Sequence, residues 1–104
     1  MKTLEQLKEM LKEENTQLFN FLGIDTTTQY GYYTAIHSNP DNITACYDAG
    51  IDMETKNGAY TAESSNPDNI KACFLAGIDM TTQYGFLIAS DFTLEMIKNI
   101  KLIK

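Results

Sequence analysis

The chain holds one histidine, His37, and two cysteines, Cys46 and Cys73. These side chains are the ones best suited to general-base, nucleophilic or metal chemistry. Two cysteines and one histidine cannot supply the four ligands of a structural zinc site. His37 has no nucleophile or carboxylate at a spacing that gives it a defined catalytic partner. A phosphate cradle would need a cluster of glycines. The six glycines instead stand at 23, 31, 50, 58, 77 and 85, pairs that recur every 27 residues. No enzyme activity, cofactor or metal is expected.

The other side chains with chemical reach are six Tyr, five Phe and fourteen acids. Eight Lys and Arg against those acids give a net charge of −6 on 104 residues. That balance argues against a nucleic-acid binder, which needs surface cations to neutralise phosphates. It argues equally against an anionic membrane surface. The charge is uneven: Glu13 to Glu95 holds twelve acids and two bases, Lys56 and Lys71, a net of −10. Lys2 opens an amphipathic stretch rather than a signal peptide, and no apolar run is long enough to span a bilayer. A cytoplasmic protein is expected.

The glycine period belongs to a sequence repeat. Gly-Ile-Asp occurs at 23–25, 50–52 and 77–79. Gly23–Ala49 aligns with Gly50–Ala76 without gaps, with 17 of 27 positions identical. Gly77–Ile103 keeps 10 of 27 against the second unit. Drift at the ends is normal for a stack whose outermost units face water.

Each unit dictates its own local structure. Asn39-Pro40-Asp41 and Asn66-Pro67-Asp68 start helices: Asn caps, Pro takes the first helical position and Asp sits at the positive end of the dipole. Gly50 and Gly77 stop them. Ile43, Cys46 and Ala49, and likewise Ile70, Cys73 and Ala76, form an apolar stripe. Asp25, Asp52 and Asp79 are expected to bond loop backbone. The dipeptides Tyr30-Gly31, Asn57-Gly58 and Tyr84-Gly85 read as tight turns at loop tips. A short first helix of little more than one turn is expected over 33–38 and 60–65, with Tyr33 and Tyr60 in the core.

Asn42 to Gly58 resembles the second helix of an ankyrin repeat and the loop after it. Thr34-Ala35-Ile36-His37 is similar to the start of that family's first helix. The resemblance runs from about Asn15 to Ala89, with a period of 27 in place of the family's roughly 33. It implies an all-α fold, a short α-solenoid of helix-turn-helix repeats with projecting loops and terminal capping helices. The single domain divides into an N-terminal cap (about 1–22), repeats 23–49 and 50–76, and a C-terminal capping repeat (77–104). Leu4, Leu7, Leu11, Leu18 and Leu22 share one face of the first cap, and Ile97, Ile100 and Ile103 one face of the last. The family likeness also implies that His37 bonds backbone of a neighbouring unit.

Function follows as an expectation: a monomeric, non-catalytic protein-interaction module. The aromatics at variable repeat positions, Tyr30, Tyr32, Tyr84 and Phe86, are candidate anchors. His37, Glu54, Lys56 and Glu63 join them on the loop and short-helix face. Glu13, Glu14, Asp48 and Asp91, with Glu54 and Glu63, are acids outside the repeat pattern; they either steer a basic partner or merely solvate a face. The alternative is a small acidic inhibitor or decoy, of mobile-element or immunity type, that blocks a basic nucleic-acid-binding protein.

Cys46 and Cys73 are exact repeat equivalents, so their backbones lie about one helix-packing distance, roughly 10 Å, apart. A disulfide needs about 7 Å or less. Two free thiols should therefore titrate with a chromogenic disulfide after unfolding without reductant. A count of zero would overturn this reading.

Overall fold

The computed structural model describes residues 16–100. Leu4, Leu7, Leu11, Ile103, Glu13 and Glu14 lie outside that range. The described residues form helices and no strands. They are α1 (Thr16–Leu22), α2 (Gln29–His37), α3 (Pro40–Asp48), α4 (Lys56–Ser64), α5 (Pro67–Leu75), α6 (Gln83–Asp91) and α7 (Leu94–Lys98). Helices α2, α4 and α6 touch in that order and form one row. Helices α3, α5 and α7 form a second row, and α3–α4 and α5–α6 contacts join the two.

The second helix of each unit forms as its residues dictate. The Asn39 side chain accepts from the Asn42 N–H at 2.8 Å, and Asn66 from Asn69 at 2.9 Å. Pro40 and Pro67 follow in the first helical turn. After α1, α3 and α5 the chain turns at Gly23, Gly50 and Gly77, with φ of 75°, 71° and 76°. Only glycine enters that left-handed region without strain.

The first helix is longer than its sequence suggests. It spans nine residues in each unit, and in the first two units it begins four residues before the expected start. The reason is a second cap. Thr28, Thr55 and Thr82 accept from the N–H of Gly31, Gly58 and Gly85 at 3.1, 3.2 and 3.0 Å. The same hydroxyls donate to the carbonyls of Asp25, Asp52 and Asp79. Gly31, Gly58 and Gly85 are therefore first-turn helical residues, not turn tips. A Cβ on Gly58 would run into the Asp52 carbonyl, and the other two meet the equivalent oxygen. Glycine is needed there for close approach of loop to helix, not for backbone freedom. Tyr30 and Tyr84 consequently sit in the first turns of α2 and α6 rather than on projecting loops.

The recurrent aspartates hold the loops as expected. Oδ1 of Asp25 accepts from the Thr27 N–H at 2.8 Å and from its hydroxyl at 2.6 Å. Asp52 accepts from the Glu54 N–H and Asp79 from the Thr81 N–H, each at 2.9 Å. The Thr27 and Thr81 side chains, with their backbone N–H groups, hold the Asp25 and Asp79 carboxyls below the ordinary range.

Between the rows lies one apolar core. Phe19, Ile43, Cys46, Ile70, Cys73 and Ile97 are completely buried, and Met53 and Met80 nearly so. Leu18 and Leu22 pack against it from α1. Both cysteines are free, and burial pushes their thiols up, to about 12 for Cys46 and about 11 for Cys73. Tyr33 and Tyr60 depart from expectation: they are half-buried and line the outer side of the first row.

Polar side chains stitch unit to unit through the same core. The buried Asn42 amide donates to the carbonyls of Ala62 and Ser65, both at 2.9 Å. Asn69 repeats this with Ala89 and Phe92 at 3.1 and 2.9 Å. These are carbonyls at the C-terminal ends of α4 and α6, which have no partner inside their own helix. The buried Thr34 hydroxyl lies 2.9 Å from the Met53 carbonyl, and Thr61 donates to Met80 at 3.2 Å.

Gly58→Ala tests the close approach. Helix propensity alone predicts a gain of about 1 kcal/mol for Ala over Gly. The Asp52 carbonyl reverses the sign, and a loss of at least about 1 kcal/mol is expected in urea unfolding. An unchanged or raised midpoint would remove the steric explanation.

Candidate interaction surface

The first row presents aromatic rings from three successive units. Tyr33 of α2 and Tyr60 of α4 hold the same repeat position, which is Leu87 in α6. Their rings meet edge-on, with centroids 5.3 Å apart. Tyr60 also meets Tyr30 at 6.3 Å and Phe86 at 5.7 Å. One ring thus joins contributions from α2, α4 and α6. Such edge and tilted contacts hold ring orientation beyond what area burial alone provides.

Glu63 ties the acidic end of this row together. Its Oε1 accepts from the Tyr33 hydroxyl at 2.8 Å. Its Oε2 lies 3.9 Å from Nδ1 of His37. The His37 ring stacks obliquely on Tyr33, centroids 4.3 Å apart. Burial, the Glu63 hydrogen bond and the Glu63 charge, in that order, push the Tyr33 phenol up to about 12.

His37 therefore does not do what the family likeness implied. Its side chain is 47% exposed and faces Tyr33 and Glu63, not the backbone of a neighbour. The position lies at the solvent side of the α2 C-terminus, where Glu63 reaches it from the next helix. Nothing in the residue spacing announced the Glu63 contacts, because Glu63 lies 30 residues from Tyr33 in the chain.

The remaining expected residues divide. Tyr30 and Phe86 join the ring cluster through Tyr60. Tyr84 projects alone, 82% exposed. Tyr32 is half-buried outside the cluster, and its buried hydroxyl has no hydrogen-bond partner. Lys56 is exposed at the start of α4. Glu54 is half-buried, and its Oε2 accepts from the Asp25 N–H at 3.5 Å. Glu54 and Glu63 thus bridge adjacent units, which removes them from the pool of purely solvating acids.

Two features differ from expectation. Tyr60, expected in the core, is half-buried at the centre of the ring cluster. The second row also bears apolar side chains, Tyr47, Phe74 and Leu75, beside a groove between α3 and α5. Their signal was available: positions 47/74 and 48/75 lie off the buried Ile43/Cys46 stripe and are apolar or aromatic in three of four cases.

Among the described residues no group of three or more His, Cys, Asp or Glu is placed to hold a metal ion. No described helix is long and apolar enough to cross a membrane. No family profile, curated protein or solved structure matches this chain.

The Tyr33 shift has a sign for stability. Its folded pKa, about 12, lies above the ordinary 10.0, so the fold favours the neutral phenol. That contribution is complete below pH 10 and is lost as pH rises toward 12. Glu63→Gln removes the charge and weakens the acceptor. The last phenol to ionise in an ultraviolet titration should then do so at lower pH. An unmoved last phenol would show that Glu63 does not hold Tyr33.

Proposed function

We propose that this chain is a non-catalytic protein-binding module, an ankyrin-type α-solenoid that takes its partner on the first-helix row. The carrying observation is the contiguous set of half-buried rings, Tyr30, Tyr33, Tyr60 and Phe86, spread over three units. Aromatic side chains dominate binding energy where they are rigid and half-exposed. These rings are held by one another and by helices clamped through Asn42 and Asn69, so little rotamer entropy remains to be lost on association. Tyr84, in the first turn of the same helix as Phe86, offers a further exposed ring.

The two-row arrangement, the glycine stops and the threonine-capped loops support the ankyrin-type reading. The net charge of −6 favours a partner with a basic surface through long-range steering. The charge-decoy alternative draws less support, since Glu54 and Glu63 are engaged between units.

Capture from lysate of the source cells tests the reading. Immobilised native chain is compared with Tyr60→Ser and Tyr84→Ala variants whose helicity is intact by circular dichroism. Loss of a hot-spot ring costs about 2 kcal/mol or more, so specific partners should fall at least about tenfold in yield. Recovery of the same proteins at unchanged yield would sink the proposal. Retention in moderate salt separates a ring-anchored interface from a charge mimic, which should release.

A further inference from the structure

One dipeptide of this chain can react with itself. A backbone nitrogen that attacks the side-chain carbonyl carbon of the asparagine before it closes a five-membered succinimide. The residue supplying that nitrogen sets the pace, because its side chain shields the attack; glycine, with no Cβ, shields it least. Of the eight asparagines, only Asn57 precedes a glycine. The others precede Pro, Ile, Phe or Thr. Proline has no N–H to give up, and the rest are bulky. The pairs equivalent to Asn57-Gly58 are Tyr30-Gly31 and Tyr84-Gly85, which carry no amide. The reactive pair therefore stands in the middle unit alone.

The fold withholds both reacting groups. Asn57 and Gly58 are the second and third residues of α4, and Gly58 is buried. Its N–H is held by Thr55 Oγ1 at 3.2 Å. The Asn57 amide donates to the Thr81 carbonyl, in the loop before α6, at 3.3 Å. The Asp52 carbonyl closes over Gly58 so tightly that a Cβ would not fit. Ring closure also requires the Asn57 backbone to leave the helical ψ, which holds the Gly58 nitrogen away from Cγ. Freeing the nitrogen and turning the backbone both mean opening the first turn of α4.

We propose that Asn57 is a deamidation site gated by the fold, closed while α4 is capped and reactive when its first turn opens. The Gly58 nitrogen bonds to Asn57 Cγ, the Cγ–Nδ2 bond breaks, and the amide leaves as ammonia with the Gly58 proton. Water then opens the ring at either carbonyl carbon, giving aspartate or isoaspartate. Neither product re-forms the native contacts. A carboxylate at 57 sets an acceptor against the Thr81 carbonyl, where the amide had set a donor. An isoaspartyl link adds a carbon to the main chain between Thr55 and Gly58, so the cap no longer meets its N–H. Helix α4 lies between α2 and α6 and carries Tyr60, the ring that joins the aromatic row. The site thus turns a transient opening into a lasting change at the centre of that row.

Conversion in the intact chain tests this, followed by peptide mass spectrometry after incubation at mildly alkaline pH. Replacement of NH2 by OH marks the reaction, and retention separates the two products. The rate of a gated reaction follows the open population, so the folded chain should convert at least about tenfold more slowly than the same chain in concentrated guanidinium. Thr55→Ala removes the cap. It should speed conversion of the folded chain about fivefold and leave the unfolded rate unchanged. Circular dichroism verifies that the variant folds. If it does not, the native chain in guanidinium below its unfolding midpoint replaces it, and conversion should rise with each increment. The isoaspartyl chain, purified and refolded, should unfold at lower denaturant than the native chain. Equal rates folded and unfolded overturn the gate, as does a folded Thr55→Ala chain no faster than native, or a native rate flat below the midpoint. An isoaspartyl chain with the native midpoint overturns the lasting change.

Discussion

The side-chain amides of Asn42 and Asn69 make the bonds on which the rest of the structure depends. Each lies buried and satisfies two carbonyls at the C-terminal end of the next unit's first helix. Those carbonyls have no partner in their own helix, and leaving a buried one unmet costs about 1–3 kcal/mol. The amide therefore fixes both the distance and the angle between one unit's second helix and the next unit's first. Helices of nine residues are too short to persist alone in water. They persist here because each is capped at its start by an Asn or Thr, and because α4 and α6 are also held at their ends by the preceding unit.

The aromatic row is a consequence of that fixed spacing. Tyr33 and Tyr60 occupy the same position in successive units, so the repeat translation brings their rings to 5.3 Å. Glu63 reaches back from α4 to Tyr33 and His37 for the same reason. The second row obeys the same translation with a different outcome. Its repeat-equivalent positions 48 and 75 hold Asp and Leu, so the same place on successive helices presents a charge in one unit and an apolar side chain in the next.

Much of the architecture was legible because it rests on local chemistry. Asn-Pro-Asp starts, glycine stops and the Ile43–Cys46 stripe act within one turn of their own positions, and the fold follows them closely. The first helices were misjudged where one residue type serves two physical purposes. Gly31, Gly58 and Gly85 carry the composition of a turn, but the carbonyl of Asp25, Asp52 or Asp79 is what excludes a side chain. Contact with an oxygen six residues earlier is not visible in a dipeptide. The candidate site is legible by residue type and not by geometry: Tyr30, Phe86, His37 and Glu63 stand out in the sequence, whereas the rings that join them, Tyr60 for the first two and Tyr33 for the others, carry the pattern of core residues.

Periodicity, caps and stops fix what this chain is locally: units of 27 residues, two helices to a unit, thiols kept apart, and loops tied by aspartate. These depend on interactions across a few residues, whose energies a sequence pattern records directly. Which side chains meet across units was settled only in three dimensions. The Asn42 amide finds its carbonyls 20 and 23 residues away, and Tyr33 finds Glu63 at 30. Those separations are set by how one unit lies on the next, a relation between surfaces that no single segment carries.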